Sequence, residues 1–246
     1  MELYLSENHV SCEKYLQAIL QGIPIAITFR QPESPYYLAF ENNRILLKNQ
    51  QTAETLDADF VTGRIAHRTR FRGHESIAKA CAVHQYHHIW DATGGLGQDA
   101  FVLASLGANV DVFERNPVAA TLLLDALHRA QQSTQTAEII QRISFHFGSI
   151  GEYATQAKPD VIYLDPMFPE RRKSAQVKKA MRFFQEIIGD DEDSGALLST
   201  ARNLAKHRIV VKRPLRGEFL DAISPAYQYT GKSTRFDVYL PFVKAT

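Results

Sequence analysis

The chain has 246 residues, enough for one sizeable domain of about 100–200 residues with a small appendage. Hydrophobic residues at 45% and charged residues at 22%, with 13 Gly and 10 Pro, exclude a disordered or collagen-like chain. Lys and Arg number 28 against 27 Asp and Glu, a formal charge of +1, so a polyanionic partner would have to be met by a local basic patch. Cys12 and Cys81 lie far apart and form no CxxC or Cys/His cluster, which fits a reducing compartment and offers no zinc site. Met1-Glu2-Leu3-Tyr4 lacks a basic segment followed by an apolar one. No apolar run nears the roughly 18 residues that span a bilayer. A cytoplasmic protein without membrane attachment is expected.

In chain order, Ser11 is placed to cap a helix carrying Cys12, Leu16, Ile19 and Leu20 at helical spacing, with Gly22 as its left-handed stop. Apolar runs follow at Ile23–Phe29, Tyr36–Phe40 and Ile45–Lys48, the last two joined by an Asn42-Asn43 turn. These form a small N-terminal α+β module over residues 1–63. The remaining domain, 64–246, alternates short β-type runs with helix-length segments, the pattern of an α/β fold with a parallel sheet and crossover helices. The strands are expected at His88–Asp91, Asn109–Glu114, Ile143–Phe147, Asp160–Asp165 and Arg208–Lys212. Helices are expected from Gln98 to Leu106, from Pro117 behind an Asn116 cap, from Ser174 with Val177, Met181, Phe184 and Ile188 on one face, and from Ser194 to Lys206. Ala226–Thr230 and Thr234–Pro241, flanking Gly231-Lys232, read as a closing antiparallel hairpin. The acidic run Asp190-Asp191-Glu192-Asp193 reads as a solvated loop.

Three features carry chemistry. Asp91-Ala92-Thr93-Gly94-Gly95-Leu96-Gly97 ends the first of these strands and opens a helix, where glycines let a backbone approach a ligand closely. Gly95-x-Gly97-x-x-Ala100 also fits a dinucleotide fingerprint, and Glu114 some 20 residues on is placed to accept from a ribose diol in either case. The apolar strand Val161-Ile162-Tyr163-Leu164 stops at Asp165-Pro166-Met167-Phe168-Pro169. A carboxylate, a carbonyl and an aromatic therefore sit together at a strand's carboxyl end. An exocyclic amine needs two acceptors and a flat surface for its ring, which Asp165, Pro166 and Phe168 supply; hydride transfer has no use for that set. The third feature is charge. Arg171, Arg172, Lys173, Lys178, Lys179 and Arg182 follow the Asp165 motif, and Arg64, His67, Arg68, Arg70 and Arg72 with Phe71 precede the first strand of the sheet. Lys212 and Arg213 add to the basic residues assigned to RNA. Phosphate neutralisation supplies most sequence-independent affinity for RNA, and an interleaved aromatic can stack an unpaired base.

Asp165-Pro166-Met167-Phe168 resembles the (Asn/Asp)-Pro-Pro-(Phe/Tyr) motif of class I S-adenosylmethionine-dependent amino-methyltransferases, with Met167 in place of the second proline. Asp91-x-Thr93-x-Gly95-x-Gly97 resembles their first motif, with Thr93 in place of a glycine. More narrowly, the segments from Asp91 to Pro117 and from Tyr163 to Pro214, with Ala66-His67-Arg68 and Arg235-Phe236-Asp237, resemble the bacterial small-subunit ribosomal RNA guanine-N2 methyltransferase family RsmJ. The likeness covers most of residues 60–240. It implies a Rossmann-like class I sheet, S-adenosylmethionine as cofactor, and a guanine N2 amine near the 3′ end of 16S rRNA, free or in the small ribosomal subunit, as acceptor. It implies cofactor contacts from Gln98-Asp99, Glu114-Arg115, Gly148-Ser149 and Asp165, beside Asp91, Thr93, Gly95 and Gly97.

Methyl transfer asks the protein chiefly to align nitrogen with the methyl group and remove water. The amine proton can leave late, so no strong general base is expected. Neither Cys12 nor Cys81 sits in a nucleophile motif, and His84, His87 and His88 precede a strand without matching acidic partners, so no metal is expected. The alternatives are the same fold acting on adenine in DNA or on a protein glutamine, a catalytically silent RNA-binding module, and a nicotinamide enzyme.

Overall fold

The computed structural model describes residues 1–6, 12–62, 75–155, 157–167, 187 and 194–243. The first sheet holds β1 (Glu2–Tyr4), β2 (Ala26–Thr28), β3 (Tyr36–Glu41), β4 (Arg44–Asn49) and β5 (Thr55–Leu56), in the order β2-β1-β3-β4-β5. β3 and β4 form the expected hairpin, turning on Asn42 and Asn43 at φ of 52° and 58°. Two successive left-handed residues match the twist of a two-residue hairpin loop, and asparagine tolerates that conformation. β1, absent from the sequence reading, lies parallel to both β2 and β3. Its 3 residues are too few to show alternation. α1 spans Glu13–Ile19 without a side-chain cap at Cys12. Ser11, the expected cap, and the 63/64 boundary lie outside the described residues.

The second sheet contains β6 (His88–Asp91), β7 (Asn109–Glu114), β8 (Ile143–Phe147), β9 (Val161–Leu164), β10 (Arg208–Pro214), β11 (Tyr227–Thr230) and β12 (Thr234–Tyr239). Its order is β11-β12-β10-β9-β6-β7-β8. The five strands from β10 to β8 pair in parallel, and β12 runs antiparallel to both β10 and β11. The fold is therefore the mostly parallel α/β sheet with a closing antiparallel hairpin, and each strand end falls within two residues of its expected place. The helices around it are α2 (Glu75–Cys81), α3 (Gln98–Ser105), α4 (Pro117–Gln131), α5 (Ala137–Ile140) and α6 (Ser194–Leu204). α2 and α5, with 7 and 4 residues, are too short to carry a helical period. Of the helix expected from Ser174, only Ile187 is described, and it packs against the core beneath the first sheet.

α4 starts where the sequence puts it. Asn116 Oδ1 accepts from the backbone N–H groups of Val118 at 2.9 Å and Ala119 at 3.2 Å, and Pro117 fills the first position, where a missing N–H costs nothing. Its Val118, Ala119 and Leu122 join Leu3, Leu16, Leu38 and Ile45 under the first sheet. Leu123, Ala126, Leu127 and Ala130 join Phe101, Val110 and Val112 on one face of the second. The opposite face of that sheet buries Trp90, Phe113, Ile162 and Leu164 against Leu198 and Ala201 of α6. Phe60, beyond the first sheet in the chain, enters the core of the second. It is 0% exposed and stacks on Phe101 with ring centroids 4.8 Å apart. Phe60→Ala should cost about 3–5 kcal/mol of stability. Urea unfolding followed by circular dichroism reads this, and an unchanged midpoint would show that Phe60 does not belong to the core.

Candidate active site

β6 and β9 lie in register with Asp91 beside Tyr163, so Asp91 and the Asp165 that follows β9 emerge at one edge of the sheet. In an open parallel sheet this carboxyl edge is where ligands bind. The glycine loop after β6 is tied to both neighbouring strands. Ala92 N–H donates to Tyr163 O at 3.0 Å and Gly94 N–H to Phe113 O at 2.8 Å. Gly95 N–H donates to Glu114 Oε2 at 2.7 Å. The loop closes on itself through Gly97 N–H to Gly94 O at 2.7 Å. At Gly97, φ is +73° and an added Cβ would lie 2.4 Å from Leu123 Cδ1, so only glycine fits between loop and α4.

Glu114 Oε1 also accepts from Asn116 N–H at 2.6 Å. Both of its oxygens therefore hold backbone, which fixes the carboxylate at the end of β7. Gln98 and Arg115 are exposed beside it. Gly148 and Ser149 are at the end of β8, but their N–H groups are spent. Gly148 donates to Glu114 O at 3.0 Å. Ser149 donates to Glu152 Oε1 at 2.8 Å in a reciprocal capping box. A ligand there would meet side chains and carbonyls rather than these two donors.

Thr93, where the family motif has glycine, joins the two motifs: its Oγ1 accepts from Asp165 N–H at 2.6 Å. Below them lies a charge cluster that the sequence reading missed. Lys212 Nζ donates to Asp99 Oδ2 at 2.7 Å and to Asp165 Oδ2 at 2.8 Å. The Tyr163 hydroxyl donates to Asp99 Oδ2 at 2.7 Å. Asp91 is 2% exposed under the loop, where its Oδ1 accepts from Thr93 N–H at 3.2 Å. Burial, and then the charge of Asp99, push its carboxyl up to about 8. Burial raises Asp165 as well, against the pull of Lys212. Pro166 is buried next to it.

Lys212 and Arg213, both expected to contact RNA, have partners within the protein. Lys212 turns inward to two carboxylates. Arg213 is 2% exposed, and its Nε and Nη2 both donate to Glu218 O, the first at 2.7 Å. Opposite it in register, Arg235 pairs with buried Asp237 through Nε to Oδ1 at 2.9 Å and donates from Nη1 to Leu215 O at 3.0 Å. The two guanidinium groups thus pin the carbonyls of the lip that follows β10. Strand alternation sends residues 212 and 213 to opposite faces of the sheet, where Arg213 is buried and Lys212 keeps about a third of its side chain exposed, at 30%. A correction concerns His88. Its Nε2 lies 2.6 Å from Asp111 Oδ2, and His146 Nε2 lies 2.9 Å from Asp111 Oδ1, so an acidic partner is present. Among the described residues no group of three or more His, Cys, Asp or Glu side chains is placed to hold a metal ion. Phe168, Arg68, Arg70, Arg171, Arg172, Lys173, Lys178, Lys179 and Arg182 lie outside the described residues.

The buried Asp91 carries a pH signature. Its folded carboxyl holds a proton up to about 8 while the unfolded one ionises near 3.8. The folded state therefore binds more protons across that window, and the associated stability is full below it and lost as pH rises through it. Asp91→Asn, which cannot ionise, should gain on the parent by up to about 1.4 kcal/mol per unit between those limits. Denaturant unfolding at pH 5 and pH 8 measures the difference; parallel stability curves would overturn it.

Comparison with known proteins identifies the family. Residues 24–241 match the SAM-dependent methyltransferase family. The ribosomal RNA small subunit methyltransferase J of Neisseria meningitidis serogroup C is 46% identical over 232 residues, 92% of this chain and 93% of the relative. The protein of the same description from Laribacter hongkongensis is 42% identical over 94% of this chain and 84% of its own. The crystal structure of a SAM-dependent methyltransferase from Neisseria gonorrhoeae superposes with a TM-score of 0.82 at 39% identity, covering 100% of this chain and 98% of that one. The chain belongs to the ribosomal RNA small subunit methyltransferase J family of S-adenosylmethionine-dependent methyltransferases.

Proposed function

We propose that this protein transfers a methyl group from S-adenosylmethionine to the exocyclic N2 amine of a guanine in small-subunit, 16S, ribosomal RNA. The observation that carries the reading is the junction of the two motifs. Asp165, tied through its N–H to Thr93, stands at the strand edge beside a glycine loop that Glu114 holds. The residue types suit the cofactor: a glycine loop opens a helix, and Glu114 ends the next strand, where a carboxylate accepts from a ribose diol. Bound there, S-adenosylmethionine would supply a methyl group activated by its sulfonium.

The chain's own residues do the rest. Asp165 and the Pro166 carbonyl accept the two amine hydrogens and so aim the nitrogen lone pair, while Phe168 offers the guanine ring a face to stack on. Thr93 keeps Asp165 at a fixed distance from the glycine loop, so that amine holder and cofactor loop move as one unit. The amine's proton leaves late, to solvent or to Asp165, and needs no strong base. The basic residues Arg68, Arg70, Arg171, Arg172, Lys173, Lys178, Lys179 and Arg182 take the phosphate backbone, which positions RNA without reading it. In this reading residues 1–63 form an N-terminal module whose sheet packs on α4, residues 64–246 form the catalytic domain, and the enzyme works in the cytoplasm. No helix among the described residues is long and apolar enough to cross a membrane.

Glu114→Ala should weaken S-adenosylmethionine binding in calorimetry about 10- to 100-fold, the loss expected for one or two hydrogen bonds to a charged acceptor. Asp165→Ala should lower methyl incorporation into small-subunit rRNA by about 100-fold or more, since misaligning the reacting atoms is that costly. Wild-type turnover by Asp165→Ala would overturn the amine-holding role, and label recovered on adenine or on protein glutamine would overturn the substrate.

A further inference from the structure

Three carboxylates, Asp91, Asp99 and Asp165, converge with the Tyr163 hydroxyl on the carboxyl ends of β6 and β9. Such a group of like charges drives at least one member to take a proton unless a cation intervenes. Lys212 is that cation. β10 pairs with β9 so that Val211 stands beside Leu164, which brings the next residue on each strand, Lys212 and Asp165, side by side. Lys212 Nζ then spans Asp99 Oδ2 and Asp165 Oδ2 at 2.7 and 2.8 Å. Among the described residues Oδ1 of Asp165 has no such partner, and the side chain is 40% exposed. The two oxygens of the acceptor carboxylate are thereby made unequal.

We propose that Lys212 is the positioning residue of the acceptor carboxylate: it clamps Oδ2 of Asp165 against Asp99, leaves Oδ1 to receive the guanine amine, and favours the ionised form. The inference rests on the reading of Asp165 as the amine-holding residue. The chemistry of the alternative shows why the clamp matters. A protonated Asp165 could present an O–H donor to the amine, two donors facing each other, whereas the ionised group only accepts. The groups that bear on this balance are Asp99 on α3, Tyr163 on β9, Asp91 on β6 and Arg213 on β10. Burial raises Asp165 most; Lys212 opposes it, Asp99 adds to it, and Arg213 lowers it further, with a net upward direction that Lys212 restrains. Lys212 itself is held well above the usual lysine range by Asp165 and Asp99, despite its burial, and stays charged throughout.

The test compares Lys212→Met, Lys212→Arg and Asp165→Asn with the parent in single-turnover methyl transfer to small-subunit RNA. The pH runs from 6 to 10, at saturating S-adenosylmethionine, with KM for RNA measured alongside. Loss of the cation should move the acid limb of the Lys212→Met rate up by about one unit or more. Its rate should recover in alkali, its KM for RNA should change little, and Lys212→Arg should return the limb towards the parent. A Lys212→Met limb that coincides with the parent's overturns the proposal. So does a rate lowered equally at every pH and not restored by arginine, since that is a merely structural loss. Asp165→Asn separates the two levels. If it turns over like the parent, the acceptor reading itself falls. If it is inactive while the Lys212→Met limb stays put, only the role of Lys212 falls.

Discussion

α4 is buried along two of its sides, and the position of the site follows from that constraint. One side closes the core beneath the N-terminal sheet and another closes the core of the parallel sheet. A helix so enclosed cannot slide or tilt without exposing leucines whose burial is worth about 1.5–3 kcal/mol each. Its N-terminus is therefore a fixed point. Asn116 caps it, Glu114 two residues earlier takes both the cap's own N–H and that of Gly95, and Leu123, in the second turn, fills the space that Gly97 leaves open. The glycine loop is thus held by a chain of contacts running from the N-terminal strands through α4.

The first sheet and the segment that follows it are in this sense part of the scaffold of the site. Phe60 stacks on Phe101 of α3 and lies against the Cβ position of Gly97, while Arg129 of α4 donates to Ala58 O at 2.5 Å. Arg129 also pairs with Asp125, which is 1% exposed, so a cation is supplied where burial would otherwise leave a carboxylate alone. The same economy recurs at the other end of the sheet, where Arg235 neutralises buried Asp237 and spends its remaining donors on the carbonyls after β10. In both places a buried ion pair also fixes backbone carbonyls, and after β10 those carbonyls belong to a loop at the carboxyl edge.

What was legible in the sequence is local. Strand ends at Asp91, Glu114 and Leu164, the Asn116-Pro117 start, the Asn42-Asn43 turn and the closing hairpin all announce themselves within a few residues, because periodicity, capping and turn chemistry act at that range. The glycine loop and the Asp165 motif were legible for the same reason: each is a contiguous run at the end of a strand, and a parallel sheet gathers strand ends on one edge.

Tertiary structure alone decided which side chains at that edge meet. Thr93 and Asp165 are 72 positions apart, and Lys212 and Asp99 are 113 apart. Nothing in the neighbourhood of Lys212-Arg213 distinguishes two cations turned inward from two facing RNA, since a pair of basic residues reads the same in either case. The difference arises from the register of β10 between β9 and β12, and so from distant segments. His88 and Asp111 met for the same reason, across two strands whose pairing no short window of sequence contains. Sequence therefore determined the kinds of element and the chemistry present at their ends, while the sheet's strand order and register decided which of those groups would share a charge, a proton or a hydrogen bond.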